Sequence, residues 1–201
     1  MSRSDRDKWN DRYQRGAYRE RGHPSVLVKE YVPDIFASQQ AAGAELRALD
    51  LACGAGRNAL YLARLGYGVD ALDISSEALA RAEQTARGEE LPISWVVHDL
   101  DQGLPRGLRD YDLILIMRYL DLSLVAAAAE RLSPGGYLIC EAHLVSDEPV
   151  IGPRDAAFRA HPGELRAAAH GLVVAEYWEG STQDPDGRSV ALVRLVARRQ
   201  S

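Results

Sequence analysis

Residues 46–58 read Leu-Arg-Ala-Leu-Asp-Leu-Ala-Cys-Gly-Ala-Gly-Arg-Asn, an apolar run that leads into a glycine-rich turn. The run predicts a strand over 46–52, and the two glycines let the chain turn sharply and let a ligand approach the backbone. Residues 57–65 carry leucines at helical spacing, and Gly66 follows at a position typical of a helix end. A strand, a tight turn and a helix in this order predict the start of an α/β sheet.

The same alternation continues along the rest of the chain. Further strands are predicted over 68–74, 91–97, 111–117, 137–143, 172–178 and 189–197, with helices over 78–86, 122–132 and 162–170 and a long loop over 144–162. Alternating strands and helices indicate a parallel sheet with right-handed crossovers. We therefore predict a doubly wound (Rossmann-like) α/β fold. Its mostly parallel seven-stranded sheet has helices on both faces and a C-terminal antiparallel hairpin.

The length of the chain is suited to one domain. A domain of 201 residues can bury roughly 70% of its unfolded surface. We expect residues 1–201 to form a single domain, with a sheet core over 46–201 and a lid segment over 1–30.

Charge is unevenly distributed along the chain. The net charge is −5, but residues 1–30 hold eight Lys and Arg against five Asp and Glu, so the remainder carries −8. An acidic body is a poor platform for nucleic-acid phosphates.

The sequence also argues against a membrane span, a disulfide framework and a metal cluster. No apolar run approaches the length of a membrane span. Cys53 and Cys140 are too few for a disulfide framework or a metal cluster. We expect a cytoplasmic monomer or homodimer that binds no nucleic acid, membrane or metal ion.

Acidic residues also close later predicted strands. Asp73 lies 19 residues after Gly54, a spacing at which a carboxylate can accept hydrogen bonds from both ribose hydroxyls of an adenosine. Asp99 ends the next strand, where a carboxylate can accept from an adenine amino group while Leu100 packs on the ring. Together with Asp50 in the first strand, these residues indicate a nucleoside-containing ligand.

A dinucleotide-binding oxidoreductase of the NAD type is one alternative. Residues 54–59, Gly-Ala-Gly-Arg-Asn-Ala, approach the G-x-G-x-x-G fingerprint and carry an alanine at a last position that tolerates it. However, Asp50 lies in a stretch that is typically uncharged in dehydrogenases. A dinucleotide also places its pyrophosphate at a helix N-terminus, whereas S-adenosylmethionine (SAM) has no phosphate. The residues favour SAM.

Several motifs resemble class I SAM-dependent methyltransferases. The central ones are residues 50–58 (DLACGAGRN), 62–67 (LARLGY) and 73–75 (DIS). The opening WNDRY at 9–13, with Gly16, Tyr18 and 23–25 (HPS), is similar to the branch of tellurite-resistance and thiopurine methyltransferases, as are Phe158, 162–165 (PGEL) and 177–179 (YWE). The resemblance covers nearly the whole chain. It implies transfer of a methyl group from SAM to a small-molecule acceptor, with S-adenosylhomocysteine (SAH) as the product.

The resemblance also implies positions for the cofactor. Gly54 and Gly56 would lie under its methionine part, Arg12 and Tyr13 would close over the methionine carboxylate, and Arg118 would lie near the sulfonium. Asp73 would hold the ribose, and Asp99 with Leu100 the adenine. The full set of predicted cofactor-binding residues is Arg12, Tyr13, Asp50, Ala52, Gly54, Gly56, Asn58, Asp73, Ile74, Asp99, Leu100 and Arg118.

One position departs from the tellurite-resistance branch. A His-Arg pair that those proteins tend to carry before the last strand is replaced here by Ser181 and Thr182, and Arg188 is the basic residue that remains nearby. The departure argues against a tellurium or selenium oxyanion as the acceptor.

Methyl transfer needs a base only where the nucleophile is protonated at the working pH. The candidates are Glu141 and His143, at the end of the fifth strand, and Tyr119, after the fourth. These strand ends lie at the edge of the sheet where ligands bind in open α/β folds. Histidine has an unperturbed pKa near 6.5, which suits proton transfer.

The N-terminal segment carries an aromatic pattern. Trp9, Tyr13 and Tyr18 recur at spacings of four and five, so we predict that they share one helix face and fold over bound SAM. A non-catalytic SAM-binding sensor or partner subunit, and an RNA or protein methyltransferase, are the other functions that the sequence leaves open.

Overall fold

A single sheet forms the centre of the structure. Our computed structural model describes residues 3–19, 22–40 and 45–200. Residues 1–2 and 20–21 of the predicted lid segment lie outside this set. The strands, in chain order, are β1 (Arg47–Leu51), β2 (Gly68–Asp73), β3 (Ile93–Val97), β4 (Tyr111–Met117), β5 (Leu132–His143), β6 (Val173–Gln183) and β7 (Ser189–Arg198). Their spatial order is β3-β2-β1-β4-β5-β7-β6. The first five pair in parallel, and β7 runs antiparallel to both β5 and β6. The predicted fold is confirmed.

Helices cover both faces of this sheet. They are α1 (Arg3–Gln14), α2 (Val26–Gln40), α3 (Arg57–Leu65), α4 (Ser76–Gly88), α5 (Leu122–Ala129) and α6 (Glu164–Ala168). Apolar side chains of α2 and α3 pack on one face, and those of α5 and α6 pack on the other. Among the described residues, no helix has both the length and the hydropathy that a membrane span requires.

β5 begins earlier than the sequence predicted. Residues 133–136, Ser-Pro-Gly-Gly, were predicted to end a helix, but the helix ends at Ala129 and β5 starts at Leu132. The register with β4 shifts across this stretch, so the turn-forming residues lie in an irregular part of the strand. A Cβ on Gly136 would lie 2.9 Å from the carbonyl oxygen of Tyr111, so glycine permits the close approach of the two strands.

The strand order reverses between β1 and β4. β2 and β3 lie on one side of this point, and β5, β7 and β6 lie on the other. In open α/β sheets, ligands bind outside the carboxyl ends of the strands at such a reversal. The candidate site is therefore expected above the ends of β1 and β4.

Candidate active site

The turn between β1 and α3 has an unusual backbone. Ala52, Gly54 and Gly56 all have left-handed conformations, with φ of 54°, 56° and 72°. A Cβ on Gly56 would lie 2.6 Å from the ring of Trp95, so the turn packs closely on β3. Alternating left-handed residues fold the chain back on itself and leave backbone amides exposed to a ligand.

Asp50 lies beneath this turn and is 1% exposed. Its Oδ2 accepts a hydrogen bond from the amide of Ala59, in the first turn of α3, at 3.0 Å. Its Oδ1 is buried and has no hydrogen-bond partner among the described residues. Burial raises the pKa of this carboxyl to about 7. A buried acceptor without a donor is costly, so this oxygen is a candidate for contact with a ligand.

Asp73 ends β2 beside the same turn. Its Oδ2 accepts from the amide of Gly54 at 2.7 Å, and its Oδ1 accepts from the amide of Ser75 at 2.8 Å. Burial raises the pKa of this carboxyl, and the backbone hydrogen bonds oppose that shift. Asp73 thus connects the glycine turn to the start of α4, and the buried side chain of Ile74 follows it.

Asp99 and Leu100 follow β3 at the same edge. The Oδ1 of Asp99 accepts from the amide of Asp101 at 3.1 Å and caps a short 3-10 helix over Leu100–Gln102. Asp99 is 8% exposed and Leu100 is 3% exposed. The structure therefore brings the carboxylates at the ends of β1, β2 and β3 to one edge around the turn.

Tyr13 from α1 lies over the turn. A Cβ on Gly54 would lie 2.4 Å from the Tyr13 hydroxyl oxygen, so the absence of a side chain at Gly54 creates the space for this contact. Burial, followed by the charge of Asp73, raises the pKa of Tyr13. Ring centroids of Tyr13 lie 6.4 Å from Trp9 and 5.8 Å from Tyr18.

The predicted single helix face is wrong in one respect. Trp9 and Tyr13 belong to α1, but the helix ends at Gln14 and Tyr18 has a left-handed φ of 60°. The three rings meet because the chain turns back after the helix. The Arg12 guanidinium lies over the rings of Trp9 and Tyr18, at 4.9 and 5.5 Å from their centroids.

Asn58 connects the start of α3 to the residue before α2. It is buried, and its Oδ1 accepts from the amide of Ser25, just before α2, at 2.8 Å. Arg57 donates to the hydroxyl of the same serine at 2.9 Å. These contacts give Asn58 and Arg57 a structural role that the sequence did not indicate.

Glu141 is engaged by two arginines. Its Oε1 lies 2.5 Å from Nε of Arg118, and its Oε2 lies 2.8 Å from Nε of Arg194. Arg118 also pairs with Asp184, at the β6–β7 turn, at 2.7 Å. Arginines occupy both carboxylate oxygens, so the geometry does not favour the predicted base role of Glu141.

His143 lies among cations. Burial, followed by the charges of Arg118 and Arg159, lowers its pKa to about 4. Its Nδ1 is buried without a hydrogen-bond partner in the described structure, and a Cβ on Gly152 would lie 2.6 Å from that atom. The imidazole is neutral at pH 7 and a weak proton acceptor.

Tyr119 is the third predicted base. Its hydroxyl donates to Oδ1 of Asp101 at 3.2 Å. Burial, followed by the charges of Asp121, Asp99 and Asp73, raises its pKa to about 12. The phenol remains protonated at neutral pH and lies at the edge that Asp73 and Asp99 share.

The loop after β5 is more ordered than its sequence indicated. The Arg159 guanidinium donates to the carbonyl oxygens of Pro153 and Leu144, each at 2.9 Å. Beside this loop, a cavity of about 360 Å³ opens next to the residues that follow Tyr119. It is lined by Leu120, Asp121, Leu122, Ala156, Ala157, Arg159, His161 and Glu164.

Comparisons with known proteins agree with this architecture. Residues 48–136 match a family described as "Methyltransferase domain". A probable SAM-dependent methyltransferase, TehB of Haemophilus influenzae, is 31% identical over 167 residues, which cover 77% of this chain and 57% of that protein. The chain spans little more than half the length of the first curated relatives that it matches.

Solved structures give the same result. The crystal structure of TehB from Haemophilus influenzae superposes with a TM-score of 0.68 at 26% identity, covering 87% of this chain and 66% of that chain. Magnesium protoporphyrin IX methyltransferase from Synechocystis PCC 6803, solved with bound SAM, superposes with a TM-score of 0.66 at 21% identity and covers 97% of this chain and 95% of that chain. The second likeness concerns the fold alone. The matched residues, the sheet order and the similarity to TehB together support a class I SAM-dependent methyltransferase.

Proposed function

We propose that this protein binds SAM and transfers its methyl group to a small-molecule acceptor. One observation carries the proposal: the buried carboxylate of Asp73 is held against a left-handed glycine turn, with Asp50 and Asp99 at the two flanking strand ends. The arrangement fits an adenosine joined to an amino acid, because it offers acceptors for hydroxyl and amino groups beside exposed amides.

The residues present fit each part of the cofactor. Asp73 accepts backbone hydrogen bonds from Gly54, Ile74 and Ser75, and a carboxylate with about four acceptor positions keeps capacity for a ribose hydroxyl. Asp99 and Leu100 would hold the adenine, and the turn at Gly54 and Gly56 would lie beneath the methionine part. Tyr13 would cover the cofactor from above.

The unpartnered oxygen of Asp50 supports the same fit. An ammonium group at the turn would supply the positive charge that this buried carboxylate lacks. When bound, SAM supplies an electrophilic methyl group on a positively charged sulfur.

The chain itself contributes alignment rather than strong base catalysis. Glu141 is paired with two arginines, the pKa of His143 lies near 4 and that of Tyr119 near 12. Arginines occupy Glu141, and neither His143 nor Tyr119 is an effective proton acceptor at neutral pH. Proximity and orientation are worth up to about 7–11 kcal/mol in well-oriented systems, which suffices for an acceptor whose nucleophile is unprotonated.

The cavity that Leu120 and Asp121 line, directly after Tyr119, is where we expect a small acceptor to bind. The negative charge of the chain disfavours an RNA acceptor, because phosphate neutralisation supplies most of non-specific nucleic-acid affinity.

Calorimetric titration with SAM and SAH tests the proposal. We expect micromolar binding of both compounds to the unaltered protein, and at least tenfold weaker binding to Asp73→Ala, equivalent to about 1.4 kcal/mol. Asp70→Asn is the matched control. Asp70 lies at the opposite end of β2, where it pairs with Arg47 and Tyr111, so its loss should leave cofactor affinity within twofold.

Two results separate the possible outcomes. Absence of SAM and SAH binding in the unaltered protein would overturn the proposal. SAM binding and formation of SAH in the presence of a small acceptor would support methyl transfer. SAM binding without formation of SAH in the presence of any acceptor tested, RNA and protein included, would favour a non-catalytic sensor.

A further inference from the structure

Arg118, at the end of β4, has a strained backbone conformation, and ion pairs hold its guanidinium group. It is the first residue after the strand, it has a left-handed φ of 61°, and its amide donates to the carbonyl oxygen of Glu141 at 2.6 Å. Its guanidinium pairs with Glu141 at 2.5 Å and with Asp184 at 2.7 Å. The side chain is 18% exposed, and the two carboxylate side chains are 3% and 6% exposed. A bulky residue adopts this backbone conformation only where its surroundings hold it there.

Two cations and two anions form the ion pairs of this cluster, and Arg188 also interacts electrostatically with Asp184. Arg194 shares Glu141 with Arg118, at 2.8 Å, so two guanidinium groups face two carboxylates. Removing one carboxylate would leave a single positive charge in partly buried surroundings, where it would be screened less than a surface charge.

The proposed orientation of the cofactor would bring its sulfonium towards this cluster. With the nucleoside on the β2 and β3 side of the strand reversal, beside Asp73 and Asp99, the other half of the cofactor would extend over the ends of β1 and β4. Arg118 is the first side chain beyond the end of β4. This step rests on the proposed function.

We propose that Glu141 and Asp184 neutralise Arg118 and thereby set the preference of the site for SAM over SAH. The two compounds differ by a methyl group and by the positive charge of the sulfonium. An excess positive charge in the cluster would repel the sulfonium of SAM and leave SAH unaffected, and at the effective dielectric of a protein site a nearby charge of this kind changes affinity by about tenfold or more. Glu141 and Asp184 are positioning residues in this account, because they act through Arg118.

The test measures the ratio of the SAM and SAH dissociation constants by calorimetry at constant pH and ionic strength. Glu141→Gln and Asp184→Asn each remove one negative charge and keep the shape of the side chain. We expect each to raise the ratio Kd(SAM)/Kd(SAH) at least fivefold. Arg118→Met leaves an excess negative charge, so the ratio should move in the opposite direction.

A double variant separates charge from structural damage. Glu141→Gln combined with Arg118→Met retains one cation, Arg194, and one anion, Asp184, so its charge balance equals that of the unaltered cluster. Its ratio should return to within twofold of the unaltered value even if both affinities fall. General damage to the site would weaken SAM and SAH binding together and leave the ratio unchanged in every variant.

A surface pair provides the matched control. Glu89 pairs with Arg64 through two contacts of 2.6 and 2.7 Å, and both side chains are about 40% exposed. Glu89→Gln removes the same charge from the same kind of pair and should leave the ratio unchanged. Thermal melts identify variants that fail to fold. If Glu141→Gln does not fold, the ratio measured for Asp184→Asn still tests the proposal.

The outcomes distinguish this inference from the proposed function. A protein that binds neither SAM nor SAH would overturn the proposed function. A protein that binds both, with a ratio that stays within twofold in Asp184→Asn and in Arg118→Met, would overturn the inference alone.

Discussion

The side-chain oxygen of Asn10 lies 2.8 Å from the hydroxyl of Ser75 and 3.4 Å from the amide of Glu77. Ser75 is the N-cap of α4, so α1 is attached to the first turn of the helix that follows β2. The rings of Trp9, Tyr13 and Tyr18 pack on one another and belong to neither of the two buried core clusters. A polar attachment of this kind is suited to a segment that opens and closes.

Asn10→Ala should release α1 from the body. The variant loses the contacts to Ser75 and Glu77, and a typical hydrogen bond contributes about 0.5–1.5 kcal/mol, so proteolysis within residues 1–30 should be several-fold faster than in the unaltered protein. Saturating SAH should slow the cleavage if α1 closes over the cofactor. Limited proteolysis followed by mass spectrometry measures both effects.

The neighbouring residue supplies the control. Asp11 pairs with Arg15, the residue after α1, and both side chains are exposed, so Asp11→Ala should leave the cleavage rate close to that of the unaltered protein. Equal cleavage rates with and without SAH would contradict the lid proposed for this segment.

Gly56→Ala should destabilise the protein by about 2–4 kcal/mol. The new Cβ would lie 2.6 Å from Trp95 and 2.9 Å from Ala82, and the left-handed φ of 72° adds a backbone cost of about 1–2 kcal/mol to the overpacking. Urea unfolding followed by circular dichroism measures the change in the free energy of unfolding.

Gly88→Ala is the comparison for that change. Gly88 ends α4, and a Cβ there would meet no atom within 4 Å, so this variant should be as stable as the unaltered protein or about 0.5 kcal/mol more stable. Similar losses for both variants would show that the close packing of Gly56 on β3 is unimportant.

The regular elements of the fold were predictable because their signals are local. The helix over Arg57–Leu65 and the strand over Tyr111–Met117 were predicted with their observed ends, since each has a consistent apolar pattern bounded by clear turn residues. The start of β5 was missed because Pro134, Gly135 and Gly136 are typical turn residues, and only the partner strand shows that they lie in an irregular strand. Tertiary packing overrides local preference at such positions.

The strand-end positions of the candidate site could be predicted from the sequence, whereas its long-range contacts could not. The contacts of Asn10 with Ser75, and of Arg118 with Asp184, join residues 65 and 66 positions apart and leave no pattern in the sequence. Glu141 was predicted as a base from its place at a strand end. Its pairing with Arg194, 53 positions away, gives it a different environment that no local signal indicates.

His143 should make the protein less stable in mild acid. Its pKa is about 4 in the folded protein and about 6.5 when unfolded, because burial and the charges of Arg118 and Arg159 oppose protonation. The unfolded state therefore binds more protons between these values, and stability is lost as pH falls from 6.5 towards 4. Between pH 6.5 and 5 the loss from this group should be about 1–2 kcal/mol.

His143→Gln should abolish that part of the pH dependence. The difference in unfolding free energy between the variant and the unaltered protein should change by about 1–2 kcal/mol between pH 6.5 and 5, in favour of the variant at the lower pH. His170→Gln, at an exposed position after α6, is the control for the substitution itself. A constant difference for His143→Gln would mean that the histidine accepts a proton freely in the folded state.

Asp50→Asn should stabilise the protein while weakening the cofactor site. The pKa of this carboxyl rises from 3.8 to about 7 on folding, so its ionised form costs up to about 4 kcal/mol at pH 8 and nothing below pH 3.8. Asparagine keeps an oxygen for the amide of Ala59, although its own amino group needs a partner. We expect a net gain of about 1–3 kcal/mol at pH 8 that shrinks steadily towards pH 4.

Cofactor affinity should move the other way. The unpartnered Oδ1 of Asp50 is retained at a cost in stability, which is expected where a buried charge serves a ligand. SAM binding to Asp50→Asn, measured by calorimetry at pH 8, should be at least fivefold weaker. Asp70→Asn is the control for which we expect the opposite pair of effects. Because Asp70 is paired with Arg47 and Tyr111, its loss should destabilise the protein and leave SAM affinity unchanged. A stabilised Asp50→Asn with unaltered SAM affinity would assign the buried carboxylate no part in holding the cofactor.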